Sequence, residues 1–354
     1  MTIPVVPKRF YVLTNKRKVM KSIFNNNNRG AAAILIFLMA MVLPFRALAS
    51  DGLRGDVNDN GTVSIGDVAA LIDFLLSGDT TSINLMGADA NSDGNVSISD
   101  VTSLIDFLLS GQWPSEPVHT FSVNGIQFVM VPVQGGVFMM GATAEQGTDA
   151  SSREKPIHQV TLSSYSIGQT EVTQELWVAV IGSNPSYFNG SLLPVEQVSW
   201  QDCQTFISLL NEMTGQNFRL PTEAEWEFAA RGGNDSQGYK FSGGNNPSLI
   251  AWYSYNDSWE LRGTGYYGTH DVATRNPNEL QLYDMSGNVH EWCQDWYGDY
   301  ASGSYINPTG PTIGTTRVYR GGNWYFDDWF CRVSFRNGLS PTNSNYGIGL
   351  RLAL

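Results

Sequence analysis

Cysteine and histidine are scarce. The 354-residue chain holds three cysteines, Cys203, Cys293 and Cys331, and four histidines, His119, His158, His270 and His290. No Cys/His group has zinc-ligand spacing, and the separated histidines suggest no Ser-His-Asp arrangement. In an oxidising compartment three thiols allow one disulfide and one free thiol, and the sequence does not pair them. Positive charge is missing from most of the chain. Eight of the 21 Lys and Arg (Lys8, Arg9, Lys16, Arg17, Lys18, Lys21, Arg29 and Arg46) lie in the first 49 residues, which contain none of the 33 acidic residues. A long apolar run is also missing: Ala31 to Leu43 is thirteen residues, short of the roughly 20 that a membrane span needs.

What the N-terminus does contain reads as an export signal. A basic segment precedes the apolar run, and Ala47 and Ala49 fit an A-x-A cleavage site before Ser50. A membrane anchor is the alternative reading, and Met20 is an alternative start. No cysteine follows the run to carry a lipid. Removal of residues 1–49 leaves 13 basic against 33 acidic residues, a net charge of −20. Such a surface repels nucleic acid and anionic membranes and suits cation binding. The expectation is a secreted, periplasmic or cell-surface protein with no nucleic-acid partner and, after signal cleavage, no membrane contact.

An internal repeat follows. "DVNDNGTVSIGDVAALIDFLLSG" begins at Asp56, and "DANSDGNVSISDVTSLIDFLLSG" begins at Asp89, 33 residues later. Each opens with oxygen donors at alternate positions of a twelve-residue segment: Asp56, Asn58, Asn60, Thr62 (through its carbonyl), Ser64 and Asp67, then Asp89, Asn91, Asp93, Asn95 (through its carbonyl), Ser97 and Asp100. Gly61 and Gly94 occupy the sixth position, where such a loop turns sharply. Hard oxygens gathered by a short segment are the logic of an EF-hand Ca²⁺ loop. After each loop Val68, Leu71, Ile72, Leu75 and Val101, Leu104, Ile105, Leu108 give a helix with one buried face. So small a core folds marginally alone, so calcium is expected to supply part of its folding free energy.

This pair of loop-helix units resembles a type I dockerin, over 50–111. The resemblance implies two Ca²⁺ ions and a cohesin-like or other docking protein as partner, in the setting of extracellular polysaccharide breakdown. The chain departs from the family's recognition pattern. Loop positions ten and eleven hold Ile65-Gly66 and Ile98-Ser99 where Ser/Thr is usual, and the helices place Asp73 and Asp106 where a basic residue is usual.

A linker at 112–120 separates this module from a Gly-, Trp- and Tyr-rich region, 121–354. "IQFVMVPVQGGVFMMG" alternates like two strands joined by a Gly turn. "SWQDCQTFISLLNEMTG" predicts a helix capped by Ser199 with Asp202, buried through Cys203, Phe206, Ile207 and Leu210, and ended by Gly215. "RLPTEAEWEFAARGG" predicts another, with Thr222 and Glu225 at capping-box spacing and Gly232 beyond its end.

"EVTQELW", "PVEQVSW", "FRLPTEAEWEFAARGG", "LYDMSGNVHEWCQDWY", "YRGGNW" and "GIGLRLAL" occur in the order found in sulfatase-modifying-factor domains, the formylglycine-generating enzymes and their relatives. The resemblance implies a C-type-lectin-like α+β fold with much irregular structure. With the small all-α, double EF-hand-type module before it, the expected fold class is α+β. The resemblance also implies one Ca²⁺ held by Asp284, Gly287, Val289 and Glu291, the glycine and valine through carbonyls. In the enzymes of the family two cysteines after the "GG" motif bind copper. Here the first position is Phe326, and Cys331 falls at the second when counted forward from "GG". Cys331 is thus the candidate catalytic thiol under one reading, an oxidase converting a sulfatase cysteine to formylglycine with copper and O₂. Under the other reading Trp324, Tyr325, Phe326, Asp327, Asp328, Trp329 and Phe330 form a surface for a peptide or carbohydrate ligand, since rings beside carboxylates offer stacking faces and hydrogen-bonding edges. Part of these aromatics as core is the plain alternative. A glycan hydrolase finds no convincing carboxylate pair.

Overall fold

The computed structural model describes residues 48–49, 54–79, 81, 83–90, 96–110, 118–148, 150–256 and 267–354. The export segment expected over 1–49 lies, but for one residue pair, outside the described residues. The chain divides into two compact units, 1–115 and 116–354.

The first unit is helical: α1 (Ile65–Ser77), α2 (Leu85–Ala88) and α3 (Ile98–Ser110). Ser64 caps α1 reciprocally with Asp67, whose carboxylate accepts the Ser64 N–H at 2.8 Å; two orphan donors are satisfied at once. Ser97 and Asp100 repeat the bond at 2.7 Å before α3. Gly78, left-handed at φ 72°, ends α1. Val68, Leu71, Val101, Leu104 and Ile105 are buried as the spacing predicts, around Val57, Val63, Ala88 and Ala90, while Ile72, Leu75 and Leu108 lie at the edge of this core.

In the second unit β1 (His119–Val123), β2 (Ile126–Val133) and β5 (Tyr165–Gly168) form an antiparallel sheet in the order β1-β2-β5. The strand β3 (Gly136–Met140) pairs antiparallel with β4 (His158–Leu162), which pairs parallel with β7 (Ser304–Ile306). So β2 and β3 are both strands, as their alternation predicts, but they belong to different sheets. Where they part, a side chain on Gly135 would sit 2.4 Å from the Leu162 carbonyl oxygen, so glycine lets the turn lie against the end of β4. The central sheet runs β9-β8-β6-β10, from β6 (His290–Trp296), β8 (Arg317–Arg320), β9 (Asn337–Leu339) and β10 (Ile348–Leu350), with β10 parallel to β6.

Between these strands lie α4 (Gln174–Ile181), α5 (Trp200–Thr214) and α6 (Glu223–Ala230). The predicted caps are present: Ser199 with Asp202, Thr222 with Glu225, and Gly215 in the left-handed region at φ 69°. Cys203, Phe206, Ile207 and Leu210 of α5 are buried with Trp177, Trp292 and Leu350. The opposite core gathers Trp226, Phe228 and Ala229 of α6 with Val160, Met285, Cys293 and Val333. The chain end ties the domain shut, because Ala353 bridges both Ile167 and Arg219. The three cysteines are buried and free, so the disulfide that an oxidising compartment would allow is not formed.

Helix α6 carries Glu223 and Glu227 into the interior. Arg320 reaches Glu223 at 3.0 Å and Glu227 at 2.5 Å, and Arg336 reaches Glu223 at 2.7 Å. Burial raises the Glu223 carboxyl, but Arg336 and Arg320 outweigh it and hold the group below its usual range. Its neighbour Asp295 accepts the Glu223 N–H at 2.9 Å and has no such cation. Burial, then the Glu223 charge, pushes Asp295 up to about 8. A folded value above the unfolded one, about 3.9, means a stabilising contribution complete below about pH 4 and lost as pH rises through about 8. Asp295→Asn stays neutral and keeps an acceptor. Its melting temperature is therefore expected to be close to wild type at pH 4 and to exceed it at pH 9; parallel melting curves at both values would remove the burial argument.

Candidate functional site

The first repeat folds into a loop of converging oxygens. Asp56 is buried; its Oδ1 accepts the Asn60 N–H at 3.0 Å and its Oδ2 the Gly61 N–H at 2.8 Å. Asp67, also buried, accepts the Asn58 N–H at 3.1 Å through Oδ1 and caps Ser64 through Oδ2. Asn60 Oδ1 accepts from both the Thr62 N–H and hydroxyl. Asp59 and Gly61 take φ 55° and 79°, the sharp turn expected at mid-loop. Asn58 Oδ1 is buried without a donor. A buried oxygen with no partner is costly, and between two carboxylates it is the kind of hard donor that Ca²⁺ collects. The residues of this loop therefore fit the ion. In the second loop Asp89, Ser97 and Asp100 are described, with Asp100 buried; Asn91, Asp93 and Asn95 lie outside the described residues.

The expected calcium position of the second unit is organised otherwise. Glu291 has no exposure, Arg351 binds both its oxygens, the nearest at 2.7 Å, and the Trp226 indole N–H donates to Oε2 at 2.6 Å. An internal guanidinium thus supplies the positive charge that Glu291 was expected to find in a metal. Asp284 Oδ2 accepts the Ala273 N–H at 2.7 Å, while its Oδ1 is buried and unpartnered; burial pushes the group up to about 6. Gly287, at φ 91°, donates its N–H to the Gly321 carbonyl, and Val289 donates to Glu171. Among the described residues no set of three or more His, Cys, Asp or Glu side chains is placed to hold a metal.

The segment after the "GG" motif is pinned from both sides. The Asn323 side-chain Oδ1 accepts the N–H groups of Tyr325 and Phe326, both at 3.1 Å, and its Nδ2 donates to the Gly347 carbonyl at 3.2 Å. Trp324 donates its N–H to Asn288 and its indole N–H to Tyr346, so its ring is held inward at 1 % exposure. Ser254 Oγ donates to Asp327 at 2.9 Å. The short turn Asp328–Cys331 then carries Trp329 and Phe330, both half-buried, against Phe335. What remains outward is Tyr325 and Phe326, 50 % and 38 % exposed, with Asp327 beside them.

Cys331 faces the other way. It has no exposure and packs with Phe241, Ile250, Ala251 and Tyr253. A side chain on Gly322 would come 2.6 Å from its sulfur, so the second glycine of the motif, at φ 75°, lets the backbone lie directly on the thiol. Burial, with Asp328 and Asp327 nearby, pushes the thiol far above its usual range. A protonated, enclosed thiol is neither a nucleophile nor a copper ligand, and Phe326 offers no second sulfur. The residues present do not fit copper.

Two neighbours of the exposed rings were not legible from local sequence. Tyr187, in "PSYFNG", is 65 % exposed, and Tyr346, in "SNYG", is 45 % exposed; their rings lie 6.2 Å apart. The only signal was an aromatic set among turn residues. Beside Phe326, His290 is buried against Tyr319, with its ring pushed down to about 3 by burial.

Residues 120–354 match the sulfatase-modifying factor enzyme 1-like domain family, and residues 54–109 match the dockerin type I domain. The chain belongs to the sulfatase-modifying factor enzyme 1-like family. It is 34 % identical to the chaperone protein LppX of Paenibacillus barcinonensis, covering 60 % of this chain and 86 % of that one. It is 28 % identical to the formylglycine-generating enzyme of Streptomyces coelicolor, covering 63 % and 88 %. Among solved structures, the Treponema denticola variable protein 1 superposes with a TM-score of 0.59 at 33 % identity, covering 68 % of this chain and 99 % of that one. Three such different names on one fold place activity in the site and not in the family.

The sulfatase-modifying-factor-like domain therefore carries an enclosed Cys331 under an exposed aromatic surface. In native protein at pH 8 Cys331 is expected to resist alkylation by iodoacetamide and to react fully after unfolding in guanidinium. Rapid modification of this residue in the folded state would show that the thiol is accessible.

Proposed function

We propose that this is an exported, calcium-stabilised binding protein. Its dockerin module attaches it to a cohesin-like or other docking protein, and its second domain displays a peptide or carbohydrate ligand site on Tyr325, Phe326 and their neighbours, in the setting of polysaccharide breakdown. The observation that carries the reading is the opposite orientation of the two groups that compete for it. Cys331 is fully buried, whereas Tyr325 and Phe326 face solvent. Large rings left in water are unfavourable unless they meet a partner. Asp56, Asn58, Asn60, Thr62, Ser64 and Asp67 would hold one Ca²⁺ in the first module, and the matching residues from Asp89 to Asp100 a second. When bound, the ions would neutralise the clustered carboxylates that otherwise repel one another.

Among the described residues no helix is long and apolar enough to cross a membrane. The alternative, a formylglycine-generating oxidase, is favoured by the relation to the Streptomyces coelicolor enzyme. A peptide bearing Cys-x-Pro-x-Arg separates the two: with copper and O₂ supplied, no formylglycine is expected by mass spectrometry. In a glycan and peptide array the wild-type protein is expected to bind, and Phe326→Ala to lose on the order of tenfold in affinity. Turnover of the peptide, or an array on which nothing binds, would reverse the reading.

Calcium removal tests the other half. With EDTA the melting transition of the first module is expected to fall or vanish, and calcium to restore it. The transition of the second domain, whose Glu291 already has Arg351 as its cation, is expected to stay within about 2 °C. An unchanged first transition would exclude calcium from the fold.

A further inference from the structure

The rings around Trp324 do not make a flat platform. Trp324 meets Tyr325 at 5.5 Å between centroids and 72°, and Tyr346 at 5.8 Å and 40°. Tyr325 and Tyr346 cross at 88°, and Tyr187 lies beside Tyr346 at 47°. A pyranose ring stacks best on one broad face; inclined faces present their negative quadrupoles from several directions, which favours a cation. Among the described residues Arg and Lys stack on other rings, such as Trp252, Trp200 and Trp296, and on none of these.

A second observation points the same way. Glu196 is completely buried beneath the turn that carries Tyr187 and Phe188. Its Oε1 accepts the Phe188 N–H at 2.8 Å, while Oε2 has no partner. Phe188 in turn meets the Trp324 ring edge-on at 5.3 Å. A carboxylate is thus held next to the exposed tyrosines with one oxygen unmatched, in a domain where the buried Glu154, Glu223, Glu227 and Glu291 each have an arginine and the buried Glu171 takes the Asn288 amide and the Val289 N–H. Burial pushes the Glu196 carboxyl up to about 7.

We propose that this surface takes a weakly hydrated organic cation, a quaternary ammonium or a guanidinium, against the exposed faces of Tyr187, Tyr325 and Tyr346, with Glu196 as the counter-charge below. The inference rests on the reading of the surface as a ligand site and names its ligand class. Weak hydration decides the class. A primary ammonium keeps its water strongly, whereas a methylated ammonium or a planar guanidinium loses little on contact with aromatic faces.

The test uses the full chain with calcium present. Tetramethylammonium and methylguanidinium are titrated by calorimetry or tryptophan fluorescence, each against its neutral counterpart, 2,2-dimethylpropanol and methylurea. At least one cation is expected to bind about tenfold more tightly than its counterpart, and the preferred pair tells whether the source carries an ammonium or a guanidinium. Tyr346→Leu and Tyr325→Leu keep bulk at exposed positions but remove the π faces, and each is expected to weaken the cation about fivefold without moving the neutral compound. Glu196→Gln is expected to weaken it likewise, with the tyrosine variants deciding should it fail to fold. Equal affinity for cation and neutral counterpart, or binding of neither, overturns the proposal. Array binding of uncharged glycans alone would overturn it too while leaving the ligand surface standing, whereas an array on which nothing binds removes both.

Discussion

The second domain depends on arginines buried against glutamates. Glu223 and Glu227 of α6, Glu154 and Glu291 pair with Arg320, Arg336, Arg231, Arg332 and Arg351 at 2.5–3.0 Å. Such pairs add little net stability, because desolvation offsets most of the attraction, but breaking one costs about 3–5 kcal/mol. Their importance lies in what else the guanidinium groups touch. Arg320 donates to the carbonyls of Val333 and Ser334, Arg336 to those of Arg153 and Gly298, and Arg351 to those of Gly168 and Tyr283. These carbonyls lie in turns and strand ends that no sheet ladder completes. In a fold with so much irregular backbone, buried acceptors still need donors, and five fixed N–H groups on one side chain supply several at once.

The exposed aromatic surface follows from that arrangement. Arg320 stands immediately before the "GG" turn and Arg332 immediately after Cys331, and both are fully buried in ion pairs. The eleven residues between them therefore leave and re-enter the core at fixed points. Gly321 and Gly322, at φ 93° and 75°, let the backbone lie on Trp226 and on the Cys331 sulfur. With both ends anchored and the thiol covered by its own backbone, Tyr325 and Phe326 are the part of the segment left over for solvent. A second thiol at Phe326 would not by itself make a copper site, because the first would still face the core.

The calcium loops and their helices were legible because everything that defines them is local: donors at alternate positions, a glycine at the sixth, a capping box, a stripe repeating each turn. The same holds for the caps of α5 and α6. Where a partner is distant, the sequence was silent. Spacing suggests a calcium ligand at Glu291 but does not show Arg351, 60 residues later, which holds both its oxygens. The alternation of β2 and β3 gives strands correctly, but nothing in it says that they leave for different sheets. Tyr187 and Tyr346 lie far apart in sequence and meet because Glu196 holds the Phe188 N–H while the next residue, Gln197, donates its N–H to the Asn345 carbonyl. Burial of Cys331 was likewise invisible to counting, since spacing from "GG" fixes its place in the chain and not the direction of its side chain.

The two units answer one problem in different ways. Each buries carboxylates in a fold with too little regular structure to satisfy them by ladders. In the first, Asp56 and Asp67 turn to loop amides and leave the Asn58 oxygen without a donor; among the described residues no arginine is paired with either, so an ion from outside is a way to balance the charge. In the second, nearly every buried glutamate has an arginine of its own. Glu171 takes the Asn288 amide and the Val289 N–H instead, and Glu196, under the exposed tyrosines, keeps a buried oxygen with no partner. A buried acid without an internal cation is tolerated where a cation arrives from elsewhere, which is the same logic that makes the loops of the first unit metal sites.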